Sequence, residues 1–327
     1  MATIGTIFSN LKNMKIRPLN DIFIAGGREK TVFLDVIGGL NGIRPVRVDA
    51  QLVFVTGAEY ELEVADDSQL RTEQESADGV SPTATDDVNF TNNLQIHQES
   101  VEITDIAMAQ MGLSGVNIED NEALTEKFDF EREKKIGKMR RTANKTFLEI
   151  QPAVPLTNKD VKPRTRGMGQ VCALGTETDL GGVPLSSLTK AQVEQHVIDM
   201  VDNGALFGDP VIVCTLANKV ILSNIYGLSN NAGNVPSRNV AGQNLTQIVT
   251  ESGITFTVIP DQDMPSTDIY FTDLTALGVV GLEVPGKGIV YSFKPAISGA
   301  TEKETIQAVI GLDHGPYRLH GRIIDGI

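Results

Sequence analysis

The stretch GLEVPGKG, Gly281 to Gly288, comes closest to a chemical motif in this sequence. It matches G-x-x-x-x-G-K, the loop whose backbone amides cradle phosphates and whose lysine reaches them. The match then stops. The next residue should be Ser or Thr, whose hydroxyl holds magnesium, and Gly288 stands there instead. A helix should follow to aim its N-terminus at the phosphate, but IVYSF reads as strand. Pro285 removes one amide from the cradle. The residues read as a glycine-rich turn between strands, with a nucleotide-binding enzyme as the alternative.

The four histidines, His97, His196, His314 and His320, are scattered. His97-Gln98-Glu99 lacks H-E-x-x-H, and a strand would send neighbouring side chains to opposite faces. His314 and His320 come without a third ligand. Cys172 and Cys214 belong to no C-x-x-C and lie beside apolar residues, so they read as buried free thiols of a reducing compartment. No G-x-S-x-G occurs. These residues assign no catalytic group, no cofactor and no metal.

NFTNNLQIHQESVEITD, 89 to 105, is polar enough to suggest a site. Its apolar positions say strand. Val88, Phe90, Leu94 and Ile96 share one parity, Val101 and Ile103 the other, with a change of phase expected near Glu99-Ser100. Upstream, 46 to 64 also alternates, from Val46 through Phe54 to Val64. Between them, 66 to 87 is acidic and rich in Ser, Thr, Gly and Pro, and cannot bury much. The pattern predicts a long hairpin with legs 60–64 and 88–96. Such a hairpin is marginal alone, so another chain should support it.

Residues 118 to 148 predict one long helix, about 45 Å at 1.5 Å per residue. Acidic residues sit at its start and basic ones toward its end, which suits the helix dipole. Thr189 and Gln192 form a capping box for a helix over 189–203, with Val193, Val197 and Val201 as its stripe and Gly204 as its stop. Then come a strand at 210–216, a helix at 217–227, a polar loop at 229–244, and strands at 254–259, 268–272, 288–293, 303–311 and 317–324. Helices beside a mixed set of strands give an α+β or α/β class.

The chain has 327 residues, 41% of them apolar, so a sizeable core is possible. Aromatics are 5% with no Trp, which argues against a base-stacking platform. The net charge of -14 disfavours tight nucleic-acid binding. Residues 1 to 48 hold seven Lys/Arg against three Asp/Glu; 61 to 126 hold one against sixteen; 127 to 148 hold eight against three. Acidic and basic blocks on one chain suit contacts between copies. No signal-peptide core and no membrane-length apolar run is present, and a cytosolic product is expected.

The order of parts resembles the major capsid proteins of tailed bacteriophages, the Hong Kong 97 fold. NNLQIHQESVEITD resembles the family's strand returning from its extended loop, and SGITFTVIPDQDMPSTDIYFTD, 252 to 273, resembles a run leading to a later strand. Leu94, His97 and Asp105 depart from the usual residues. The resemblance implies an α+β fold: an N-arm (1–45), an extended loop and return strand (46–105, tip 66–87), a peripheral domain with spine helix (106–188), an axial domain (189–295), and C-terminal strands returning to the peripheral domain (296–327). It implies a shell of pentamers and hexamers enclosing weakly held DNA. The expected partners are a separate scaffolding protein, since the arm is short, with a portal and a possible decoration protein. The expected location is the virion, assembled in the bacterial cytoplasm. The acidic tip, with Glu73, Glu75 and Asp78, would meet Arg132, Lys135 and Arg140 of the spine helix, or the basic arm, of another copy. No lysine lies between Lys30 and Lys127, so no lysine–asparagine cross-link can run through the loop. The rivals are an encapsulin-like compartment shell and a phage tail or baseplate part.

Overall fold

A computed structural model describes residues 31–60, 87–104, 106, 122–227, 237–240, 243–295 and 301–325. The first part gives helix α1 (Val32–Val36), β1 (Arg44–Pro45), β2 (Val53–Tyr60), β3 (Asp87–Asn93), β4 (Gln95–Thr104) and the long helix α2 (Glu122–Leu148). Next come α3 (Met168–Leu174), β5 (Thr176–Asp179), α4 (Lys190–Asp202), β6 (Pro210–Cys214) and α5 (Leu216–Ile225). Then follow β7 (Ser237–Val240), β8 (Gln243–Val249), β9 (Thr255–Pro260) and β10 (Asp268–Asp273). The last strands are β11 (Gly278–Gly281), β12 (Val290–Phe293), β13 (Thr301–Asp313) and β14 (Gly321–Ile324).

Seven strands form one mixed sheet in the order β5-β14-β10-β6-β9-β8-β7. Its strands alternate side chains between two cores, as a period of two requires. Ile212, Cys214, Phe256, Val258, Ile269 and Phe271 pack with α4 and α5. Val211, Val213, Ile259 and Tyr270 face the other way, toward α1, α2 and α3. The capping box of α4 forms as expected: Thr189 Oγ1 accepts from Gln192 N–H, and Thr189 N–H donates to the Gln192 side chain. The stripe differs at its end. Val201 is exposed and Met200 is buried in its place, because a 3.6-residue period brings 200 round to the sheet after 193 and 197.

The second sheet is built around β13. One edge of β13 carries β4, from Thr301↔Thr104 to Ile310↔Gln95. The other carries β11 and β12, and β1 lies beyond β11. Met139, Ala143 and Phe147 of α2 pack with Ile306, Ala308 and Ile310 of β13. β5 and β14 join the strands of 210–273, while β11 and β12 join β13 and β4.

Three expectations at the hairpin are corrected. Residues 46 to 52 are not strand. Asp49 Oδ1 accepts from Gln51 and Val53 N–H, and Leu52 turns with φ 62, breaking the alternation before β2. The second leg is 87–93 rather than 88–96 and pairs with 53–60, with a bulge between Val55 and Gly57; of the expected first leg 60–64, residues 61–64 lie outside the described residues. The phase changes at Leu94, not near Glu99-Ser100. There the chain leaves β2 as partner and takes up β13, and His97, Val101 and Ile103 then face inward together. The spine helix is described from Glu122, and 118–121 lie outside the described residues.

Candidate inter-subunit surface

β2 and β3 form a two-stranded sheet of their own, and what aims it is its base. Phe54 and Leu94 are buried against Val280 and Val309 of the second sheet, with Val46, Val48 and Leu52 packed around them. Leu94 N–H donates to Leu52 O at 2.9 Å, and Leu156 N–H to Gln51 O at 3.0 Å. Asn92 ties the base to two other segments. Its Nδ2 donates to Leu312 O at 2.8 Å and to Arg166 O at 3.3 Å. Its Oδ1 accepts from Arg166 N–H at 2.6 Å and from Asn93 N–H at 2.8 Å. Further out, Phe90 meets Tyr317 edge-on at 4.8 Å, and the Arg166 guanidinium lies over the same ring. Gly57 passes close to the backbone of Gly315. The chain's own body therefore supports the base. The segment 61–86, with Glu73, Glu75 and Asp78, lies outside the described residues.

The cations of α2 are engaged within the chain. Arg132 lies 3.7 Å from Glu304. Lys135 and Lys138 share Glu99, at 3.6 and 2.7 Å, and Arg140 holds Asp35 at 2.5 Å. Lys134, Arg141 and Lys145 pair with Glu131, Asp263 and Glu149. Arg132, Lys135 and Arg140 remain partly exposed, and they share one helix. Arg140 also helps fix the end of the arm. Phe33 N–H donates to Asp261 Oδ2 at 2.9 Å, Leu34 N–H to Asn144 Oδ1 at 3.0 Å, and Asn144 Nδ2 to Asp261 and Asp263. Phe33 and Leu34 are fully buried. Burial raises the Asp261 carboxyl above its ordinary range, against the hydrogen bonds it accepts.

The other chemical candidates resolve into structure. In GLEVPGKG, Gly281 is buried at the end of β11, and the rest is a turn, exposed at Pro285, Gly286 and Lys287 and closed by a Val284–Gly288 bridge, with positive φ at Gly286 and Gly288; it leads into β12 rather than a helix. All four histidines are buried. Burial pushes His97, His196 and His320 down to about 4 and His314 to about 3. His196 meets Thr178, and His320 lies between Thr272 Oγ1 and His314 O, at 2.6 and 2.5 Å. Both cysteines are free and buried, and burial raises the Cys214 thiol to about 12. Among the described residues no group of His, Cys, Asp and Glu is arranged to hold a metal ion, and no helix is long and apolar enough to cross a membrane. Sequence reasoning missed Asn92 as an anchor. Three asparagines stand at 89, 92 and 93, and nothing local distinguishes the one whose side chain makes four hydrogen bonds.

A family model described as SU10 major capsid protein matches residues 1–326 of this chain. No curated protein matches it. Among solved structures, the capsid of cyanophage A-1(L) is similar with a TM-score of 0.55 at 14% identity, covering 91% of this chain and 93% of that one. The capsid of cyanophage P-SCSP1u is similar at 0.54 and 10% identity, covering 91% and 88%. The encapsulin of the holo-SrpI complex from Synechococcus elongatus PCC 7942 is similar at 0.52 and 10% identity, covering 95% of both chains. At such identities the likeness concerns the fold, which phage capsids and the encapsulin share. The match to the family model is what separates them.

Proposed function

We infer, because the chain belongs to the SU10 major capsid protein family, that it is the structural protein of a bacteriophage head, an icosahedral shell made of many copies of itself. The match over residues 1–326 carries this reading. In the finer reading, the seven-stranded sheet with α4 and α5 is the axial domain. The β4–β13 sheet under α2 is the peripheral domain, and β2–β3 is an arm laid on a neighbouring copy. The copies group as pentamers and hexamers. A separate scaffolding protein, a portal and a possible decoration protein complete the head, which is assembled in the host cytoplasm. Packaged DNA is held weakly, in keeping with the net charge of -14. The acidic stretch 61–86 contacts a basic surface of the next copy.

What supports the arm is the contrast between its fixed base and its outer part, which pairs with no other sheet among the described residues. A two-stranded ribbon gains stability from a further surface. Mass spectrometry of purified virions tests the reading. This chain should dominate the protein content of DNA-filled heads. Its absence from them, or its recovery only in DNA-free compartments loaded with protein cargo, would end the viral reading in favour of the encapsulin-like one.

A further inference from the structure

The loop between α2 and α3 carries cations of a different standing from those of the helix. Val154 and Arg164 bridge to each other in both directions, at 2.9 and 3.0 Å, closing a small loop. Asn158 Oδ1 accepts from Asp160 and Val161 N–H at 2.9 and 3.1 Å and sets its tip. Thr165 is fully buried below it and accepts from Leu312 N–H. Lys159, Lys162 and Arg164 stand exposed on this frame, with Asp160 as the one acid among them. Among the described residues none of the three cations makes an ion pair. From Arg132 to Lys145, by contrast, every cation of α2 has a carboxylate partner in its own chain.

We propose that loop 154–164 is the surface on which the acidic stretch 61–86 of a second copy docks. This rests on the shell reading above and names the basic partner within it. The stretch holds eight carboxylates against Arg71 alone. A loop whose cations are unpaired and whose backbone is already fixed offers charge without first giving up an internal ion pair. The spine helix would have to exchange Glu99, Glu304 or Asp35 for the incoming acids. The loop is tied to the root of the hairpin through Leu156 and Gln51, whereas 61–86 joins at Tyr60 and Asp87. That junction is roughly 25–30 Å farther along the strands at about 3.3 Å per residue.

The test is a charge exchange in shells assembled with the co-expressed scaffold and counted by sedimentation and electron microscopy. Lys159→Glu/Lys162→Glu/Arg164→Glu should lower the yield of closed shells about tenfold at physiological salt, the size expected for a few exposed pairs. Glu73→Lys/Glu75→Lys/Asp78→Lys should do the same, and the sextuple variant should recover most of the loss. The loop cations are exposed and unpaired, so the loop triple variant should melt like the wild type. Wild-type yield from that variant, or a sextuple variant no better than either triple, would overturn the proposal. So would normal shells that merely retain less DNA, since the loop would then serve nucleic acid. A wild-type chain that forms no shells in any condition would overturn the shell reading itself, and this inference with it.

Discussion

Replacing Asn92 by alanine tests whether the hairpin is aimed by its base. The side chain is 1% exposed and makes four hydrogen bonds to backbone groups of Asn93, Arg166 and Leu312. Alanine removes all four, and the two that are buried, to Leu312 O and Asn93 N–H, leave groups with no route to water. At about 1–3 kcal/mol for each buried group left unpaired, and with two such groups, the loss is about 3 kcal/mol. Asn92→Asp separates hydrogen bonding from packing. It keeps the shape but turns Nδ2, which donates to two carbonyls, into an oxygen that faces them. It should therefore cost at least as much as alanine, despite filling the same space. The assay is urea unfolding of the purified protein, read as a midpoint shift at constant slope. A loss under about 1 kcal/mol for Asn92→Ala, or a neutral Asn92→Asp, would mean that the hydrogen bonds do not hold the base.

Other consequences follow from buried groups. The four histidines are held neutral by burial, with folded values of about 3 to 4 against an ordinary 6.5. The unfolded chain binds protons that the folded chain refuses, so their contribution is complete above pH 6.5 and falls as pH drops toward 4, by up to about 1.4 kcal/mol per pH unit for each histidine. Asp261 and Asp313, raised by burial, act in the opposite direction at the acid end of this range. Urea midpoints between pH 7.5 and 5 should decline, less steeply in His97→Gln, and a flat profile would contradict the burial argument. Gly175→Ala should abolish soluble folded protein, because a Cβ there runs into the carbonyl oxygens of His320 and Tyr317; a normally folded variant by circular dichroism would refute this. Asp261→Ala should cost about 2 kcal/mol and expose the peptide bonds around Phe33 to limited proteolysis, since it unpairs Phe33 N–H and Asp263 N–H and leaves Asn144 Nδ2 with Asp263 alone. Unchanged proteolysis would show that α1 docks by apolar packing alone.

What was legible in the sequence was what is decided locally. The capping box at Thr189 and the run PVIVC announce α4 and β6, because their signals lie within a few residues. The turn at Gly286 was readable for the same reason. What escaped depended on distant partners. Nothing near the arm's end marks its partner: Asp261, 228 residues from Phe33, accepts its amide. β4 changes phase at Leu94 because β13 replaces β2 beside it, a switch with no local mark. The spine helix looks freely basic in sequence, while the carboxylates that neutralise it come from β4, β13, α1 and the 261–263 turn. The cations of loop 154–164 fall beyond the basic block that ends at 148 and carry no local mark of their own.

Electron microscopy of the purified chain, alone and with a co-expressed scaffolding protein, tests the central claim most directly. The account predicts closed polyhedral shells with scaffold, or rings of five and six subunits without it. Monodisperse small particles in both samples would contradict it.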